Sequence, residues 1–391
     1  MASFSPSGSL VVTLGLAAFS TSFAGRLTDP LIVVLSEHFH ASPDDVALLG
    51  AAYTLPFALI QPILGPVGDA YGKQRVMLVA LALTTLMLAA SAFATSLPAL
   101  FWLRALSGAA AGGVMPLALA VMGDRVPMDQ RQIAISRLLV LSISGQAAGG
   151  FVSGLLEGYA GWRGVLGLCA ILAGAASLVM LLAARRAPPE PSTAFSPGLA
   201  VERYVALWRT RAAVVCYAAV FVEAIMVFGL FPYIAPLLAL HGLGGPPEAG
   251  FVVGAFGAGG LVYAALAPLI LRRLGQGRMV VLGGALVALS FVLFAVSPWL
   301  ALFILCGLLL GTGFYMIHNS IQTRVTEVAP KARGSATAMH AFSFYVGQSV
   351  GVAVFGVAAA GLGLVATLLT CAGGALALGL WLGVGAGANR K

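Results

Sequence analysis

Eighteen of the 21 Lys and Arg residues collect on one side of a plane set by the hydrophobic pattern. The chain has twelve long apolar runs. They cover roughly residues 10–36, 46–68, 74–95, 98–122, 133–158, 162–184, 212–241, 248–271, 278–297, 299–325, 335–358 and 361–386, each near the ~20 residues that a helix needs to cross a bilayer. The basic residues fall in the even-numbered gaps between runs and at the C-terminal end: Lys73 and Arg75, then Arg125, Arg131 and Arg137, then Arg185 through Arg211, then Arg272, Arg273 and Arg278, then Arg324, Lys331 and Arg333, and last Arg390 and Lys391. Translocating positive charge is costly, so such gaps stay in the cytoplasm. The pattern predicts an all-α membrane protein of twelve spans with both termini cytoplasmic.

Little chain remains outside the runs, so no catalytic insert or nucleotide-binding module fits. With 60% hydrophobic and 9% charged residues, the net charge of +8 reflects the inside-positive bias and predicts no nucleic-acid partner. Residues 1–9 hold no Lys or Arg, which argues against a signal peptide, although Ser22-Phe23-Ala24 has the form of a cleavage site. Cys169, Cys216, Cys306 and Cys371 all sit within apolar runs and lack metal-ligand spacing. They read as small packing residues, and no metal is expected.

The two halves repeat. Gly145-Gln146-Ala147-Ala148-Gly149 in span 5 returns as Gly347-Gln348-Ser349-Val350-Gly351 in span 11, and Arg131 returns as Arg333, both 202 positions on. Gly72 and Arg75 return as Gly275 and Arg278, 203 positions on. The Pro-rich stretch between, with Pro188, Pro189, Pro191 and Pro197, reads as a linker. We therefore expect a six-helix bundle over 1–184, a cytoplasmic linker over 185–211 and a second bundle over 212–391. Two parallel repeats suit alternating access around a midplane site.

Gap two reads Gly65-Pro66-Val67-Gly68-Asp69-Ala70-Tyr71-Gly72-Lys73-Gln74-Arg75. Gly65, Asp69, Gly72 and Lys73 match, in register, the cytoplasmic signature of the major facilitator superfamily, and the chain resembles that family over its whole length. Ala70 departs from the signature, which has a basic residue there. The resemblance implies a cytoplasmic gate in which Asp69 pairs with Lys73 or Arg75 and meets the N-terminus of span 11, where a helix dipole favours an anion. Asp124 is similarly placed and is expected to join the gate. The second copy has Arg272 where the acid would be, so the gate is expected to be asymmetric. In span 4, Arg104, Gly108 and Gly112 resemble the family's Arg-then-Gly pattern; Arg104 either faces the cavity or snorkels outward. In span 5, Gly145, Gly149, Gly150 and Gly154 resemble the family's antiporter motif, with Gly150 in place of the Pro and Ser153 in place of a Gly. The same spacing also serves plain helix packing.

Ionisable groups inside spans are functional candidates. They are Arg26 and Asp29 in span 1, Arg104 in span 4, Glu223 in span 7, and His318 beside Asn319 in span 10. Spans 1, 4, 7 and 10 line the cavity in the resembled family. Arg26 and Asp29, three apart, share a helix face, and Pro30 should bend the helix there. The Arg keeps Asp29 charged. Glu223 has no base beside it in sequence, and burial then favours the protonated carboxyl, which suits a group that loads and releases a proton. Glu223 is the first candidate proton carrier and Asp29 the second; a structural hydrogen bond is the alternative for Glu223. His318 reads as a cavity hydrogen-bonding residue or a third titrating group. Phe19, Phe23, Phe228, Phe231, Tyr233, Phe314 and Tyr315 lie on these spans and either line the cavity or pack elsewhere.

The resemblance is to the twelve-span drug–proton antiporters and sugar-efflux proteins of bacterial inner membranes. It implies a monomeric, multi-pass exporter of a small amphiphilic molecule, exchanged for protons and using no cofactor but the proton gradient. The alternative is a facilitator or symporter for an anionic metabolite or sugar, with Arg26 and Arg104 holding the anion. Nothing in the sequence supports a channel or a membrane-bound enzyme.

Overall fold

The computed structural model describes residues 6–185, 197–328 and 333–388. Arg186, Lys331, Arg390 and Lys391 lie outside the described residues, as do the side chains of Asp69, Arg131, Arg203 and Arg333. Every described element is helical. Among the described residues, ten stretches are long and apolar enough to cross a membrane. Two of the helices, α7 (Met128–Ala184) and α11 (Pro246–Val296), would each extend about 75–85 Å if straight. Both are broken by a left-handed glycine, Gly161 (φ 64°) in α7 and Gly275 (φ 70°) in α11. Each therefore crosses twice, which gives twelve crossings.

Span 1 is α1 (Pro6–Arg26), a 3-10 turn (Asp29–Leu31) and α2 (Ile32–Phe39). Pro30 bends it as expected, since proline carries no N–H to continue the ladder. Span 2 is α3 (Pro43–Tyr71), capped by Ser42, whose hydroxyl accepts from the Asp45 N–H as N-cap serines do. Span 3 is α4 (Lys73–Ser91). Span 4, read from sequence as one run, divides into α5 (Leu97–Ala111) and α6 (Val114–Arg125). The cause is local: Pro116 has no N–H to give the Gly112 carbonyl, and the Gly112-Gly113 pair is the weakest helix former in the run. Spans 5 and 6 are the two arms of α7.

The linker holds a helix of its own, α8 (Pro197–Trp208). It buries Leu207, exposes Val201, Val205 and Trp208, and its Tyr204 hydroxyl donates to the Pro62 carbonyl at 3.5 Å. Span 7 is α9 (Arg211–Gly229), a 3-10 turn (Phe231–Tyr233) and α10 (Ile234–Leu240). Spans 8 and 9 are the arms of α11, and spans 10 to 12 are α12 (Leu300–Val328), α13 (Arg333–Leu362) and α14 (Leu364–Ala388).

The repeat is written in the backbone. Left-handed residues His40, Gly72 and Gly161 return as Gly242, Gly275 and Gly363, 202 or 203 positions on. The 3-10 turn at Pro30 returns at Pro232. Packing repeats as well. Gly145 and Gly149 lie against the carbonyls of Phe19 and Phe23, and Gly347 and Gly351 lie against those of Phe221 and Ile225, each 202 positions on. Small residues let these backbones approach closely.

Gly150 and Gly154 have a different neighbour. They face span 8 of the other half, at Val253 and at the Pro246 carbonyl. Gly145→Val would drive a methyl into the Phe19 carbonyl within one half. It should lower the thermal unfolding midpoint, at a cost of about 1–3 kcal/mol. Gly154→Val would wedge the two halves apart. In a cysteine-free background, the distance between spin labels at Tyr159 and Leu240 should lengthen in Gly154→Val and not in Gly145→Val.

The other contacts between spans of the two halves run from the membrane centre toward the face opposite Pro6 and Ala388. Among the described residues they include Thr54 with Ser349 at 2.7 Å, Arg26 with Gln348 at 2.8 Å, and the Tyr233 hydroxyl donating to Asp44 at 3.0 Å. Phe57 packs edge-on against Tyr345.

Candidate functional site

Two buried polar centres stand out, one where the halves meet and one within the second half. The first is built on span 1. Three-residue spacing and the bend at Pro30 bring Arg26 Nη1 to 3.3 Å from Asp29 Oδ2. Arg26 Nη2 donates to Gln348 Oε1 of span 11. The guanidinium lies over Phe228 at 4.3 Å and Phe231 at 4.8 Å from the ring centroids. One cation thus joins both halves through a carboxylate, a carboxamide and two aromatic faces. A small cavity of about 10 Å³ adjoins it, lined by Arg26, Gln146, Phe228, Phe231, Phe256 and Tyr315 among others, with room for about one water.

The second centre is in the C-terminal half. Glu223 Oε2 on α9 lies 2.9 Å from His318 Nδ1 on α12. Glu223 is buried and its Oε1 has no hydrogen-bond partner. The His318 ring stacks on Phe314 at 4.9 Å and meets Phe344 at 4.7 Å and His340 at 5.1 Å. Phe228 bridges the centres, touching Arg26 on one side and Phe314 and Phe344 on the other.

Some expectations need correcting. Arg104 does not line the cavity. It is enclosed within the first half, donates Nη1 to the Ala24 carbonyl at 2.8 Å, and lies 4.5 Å over the Tyr53 ring. The Tyr53 hydroxyl in turn donates to the Thr21 carbonyl, so Arg104 and Tyr53 brace spans 1, 2 and 4. Gly108 and Gly112, one turn apart, let span 4 lie directly on the Tyr53 and Phe57 carbonyls, and that contact pulls Arg104 inward. Glu223, which lacks a base in its own sequence neighbourhood, has one from span 10. Asn319, beside His318, points elsewhere, toward a hydrogen bond with Tyr263. Phe23 is buried on span 1, with Phe19 6.2 Å away. Phe314 and Tyr315 pack with Phe256 at 5.5 and 6.1 Å.

At the predicted gate, Lys73 Nζ meets Asp124 Oδ2 at 2.7 Å, which ties spans 3 and 4. Gly72 makes the turn with φ 93°, a conformation that favours glycine. Arg75 is exposed. Gly65 is within α3, and the expected Asp69 pairing falls on a side chain outside the described residues. The Asp124 side chain is 60% exposed, so Asp124→Asn should cost no more than about 1 kcal/mol in thermal unfolding. A loss of several kcal/mol would mean the pair is shielded.

Sequence reasoning missed Gln348, His340 and Tyr53 as site or bracing residues. Gln348 carried a signal, since it sits in the repeated Gly-Gln motif. His340 carried one too: of the five histidines, His318 and His340 are the two that fall inside apolar runs and not at their edges. The pairing of Glu223 with a residue 95 positions away carried none.

Two like six-helix halves with polar groups buried between them are an arrangement that suits alternating access. The chain belongs to the Major Facilitator Superfamily, whose family model matches residues 14–352. The MFS-type transporter YybF of Bacillus subtilis is 24% identical over 344 residues, covering 85% of this chain and 82% of that protein. The inner membrane transport protein YnfM of Escherichia coli is 26% identical over 365 residues, covering 88% and 81%. A uridine/deoxyuridine transporter of Lactococcus lactis matches a shorter part, 30% identical over 173 residues, or 44% of this chain and 36% of that one. Among solved structures, a point mutant of the nucleoside transporter NupG superposes with a TM-score of 0.78 at 16% identity, covering 95% of this chain and 98% of NupG. The chain is a secondary transporter.

Proposed function

We propose that the chain exports a small amphiphilic organic compound in exchange for protons, in the manner of the drug–proton antiporters and sugar-efflux proteins. The observation that carries this reading is the buried Glu223–His318 pair, set among the aromatic rings of Phe228, Phe314 and Phe344. A carboxyl and an imidazole in contact hold and pass a proton at little cost in geometry, and the rings offer an apolar surface for the substrate. Glu223 is the principal proton carrier and Asp29 the second. The bundles span 1–184 and 212–391 around the 185–211 linker. The protein works as a monomer in a bacterial inner membrane with both termini cytoplasmic, and the proton gradient is its only energy source. The gate at Asp69, Lys73, Arg75 and Asp124 closes the cytoplasmic mouth.

A second reading is a facilitator or symporter for an anionic metabolite. It is favoured by Arg26, a buried cation on the wall of the one-water cavity between the halves. Flux direction separates the two. In right-side-out proteoliposomes loaded with ethidium, an acidic exterior should speed ethidium exit, and a protonophore should stop that stimulation. If an acidic exterior instead drives uptake of benzoate and leaves ethidium still, the symport reading replaces the first.

A further inference from the structure

Glu223 and His318 do not end the buried titratable chain. His340 on α13 is buried, its Nε2 has no hydrogen-bond partner, and its ring lies 5.1 Å from that of His318. That centroid spacing is one that a ring rotation or a single water bridges. The three groups also descend through the membrane. Counted along their helices from the end nearest the termini, Glu223 lies about 18 Å above Arg211, His318 about 15 Å above Val328, and His340 about 10 Å above Arg333.

Other polar groups stand on the helices around this chain: Tyr315 on α12 lies within electrostatic reach of both Glu223 and Arg26, and Glu202 on α8 is exposed. On α3, Asp44, Asp45 and Tyr53 sit in the opposite half of the membrane, Tyr71 is exposed at the helix end, and the Asp69 side chain is outside the described residues. On α8, the Tyr204 hydroxyl is bound to the Pro62 carbonyl. On α12, Arg324 donates to the Leu382 carbonyl at 3.0 Å. On α14, Cys371 lies toward the far face, about 10 Å from Leu364. Phe314 and Phe344 wall the remaining sides of His318.

We infer that Glu223, His318 and His340 form a proton relay from the membrane midplane to the termini face, with His340 as its last buried member. This rests on the reading of Glu223 as the proton carrier and adds the route by which the proton leaves. The carboxylic O–H of Glu223 breaks as an N–H forms at His318 Nδ1. The N–H at the other His318 ring nitrogen breaks as one forms at His340 Nε2. Glu223 is left as carboxylate, His318 neutral in its other tautomer, and His340 as imidazolium. His340 then gives its proton to water at the termini-side mouth, and His318 resets by ring rotation.

Two measurements test the relay. The first needs no substrate: 15N spectra of the full chain in nanodiscs, labelled at histidine and assigned with His318→Asn and His340→Asn. Glu223→Gln should change the ring-nitrogen resonances of both His318 and His340, and His340→Asn should change those of His318 across a pH series. If the His340 ring ignores Glu223→Gln and the His318 series in His340→Asn matches that of the wild type, the relay is wrong and the cluster is only packing.

The second is ethidium exit from proteoliposomes under a pH gradient. His340→Asn and His340→Gln should each slow it roughly tenfold or more, and Glu223→Gln/His340→Asn should be no slower than Glu223→Gln alone, because both act on one route. A wild-type rate in both His340 variants beside a dead Glu223→Gln overturns the relay and leaves the carrier assignment standing. A wild-type rate in Glu223→Gln overturns the carrier assignment itself.

Discussion

Glu223→Gln should abolish pH-gradient-driven ethidium exit, a loss of roughly 100-fold or more, while ethidium binding stays measurable. Glutamine keeps the shape and an acceptor oxygen for His318, so the span 7 to span 10 contact at 2.9 Å survives in form. What glutamine lacks is a proton that leaves. On its own helix this carboxyl has only neighbours that do not titrate, Phe221, Val222, Ala224 and Ile225, and intramembrane carboxyls are expensive to keep. Stability should not fall, because the variant removes an ionisable group from an apolar site and leaves no new charge. Normal gradient-driven transport by Glu223→Gln, at unchanged thermal stability, would remove Glu223 from the mechanism. Loss of binding together with transport would make it a substrate ligand instead.

The second large effect is on stability. Arg26→Met should cost about 3–5 kcal/mol, because Asp29 stays buried with its charge partner gone. Arg26 also gives up its bond to Gln348 and its two aromatic contacts, each worth about 0.5–2 kcal/mol. Arg26→Met/Asp29→Asn should recover most of the loss, since no uncompensated carboxylate remains. A thiol-reactive dye suits the measurement, as Cys169, Cys216 and Cys306 are buried and become reactive on unfolding. If the double variant is as unstable as Arg26→Met alone, the cost lies in the junction between the halves and not in the unpaired acid.

Much of the architecture was legible before any coordinates. Span number and the bend at Pro30 follow from rules that act along the chain: apolar length, charge bias and a missing N–H. The repeat showed at Gly145 and Gly347 because close packing fixes those residue types at a set distance. The break in span 4 was missed because the Pro116 effect lands four residues earlier, at Gly112. The candidate site was legible as residue types and only partly as partners. Arg26 and Asp29 were paired correctly because they are one helix turn apart. Glu223 and His318 sit on different spans, and helix rotation, which packing sets, decides whether they meet. The same rotation turned Arg104 onto Tyr53 and Ala24, a contact that depends on glycines letting span 4 sink against span 2.

Among the described residues, the hydrogen bonds that join spans of the two halves pair no cation with an anion. Thr54 meets Ser349 through hydroxyls, Arg26 reaches a carboxamide, and a tyrosine hydroxyl reaches Asp44. Each such bond is worth about 0.5–3 kcal/mol net, and reversing a two-state population from 1:99 to 99:1 takes about 5.5 kcal/mol. The latch strength is therefore of the same order as the free energy that one bound ligand or one transferred proton supplies. A rocker so lightly fastened tips under ordinary cargo, whereas a clasp of several cross-half ion pairs would demand a heavier fuel.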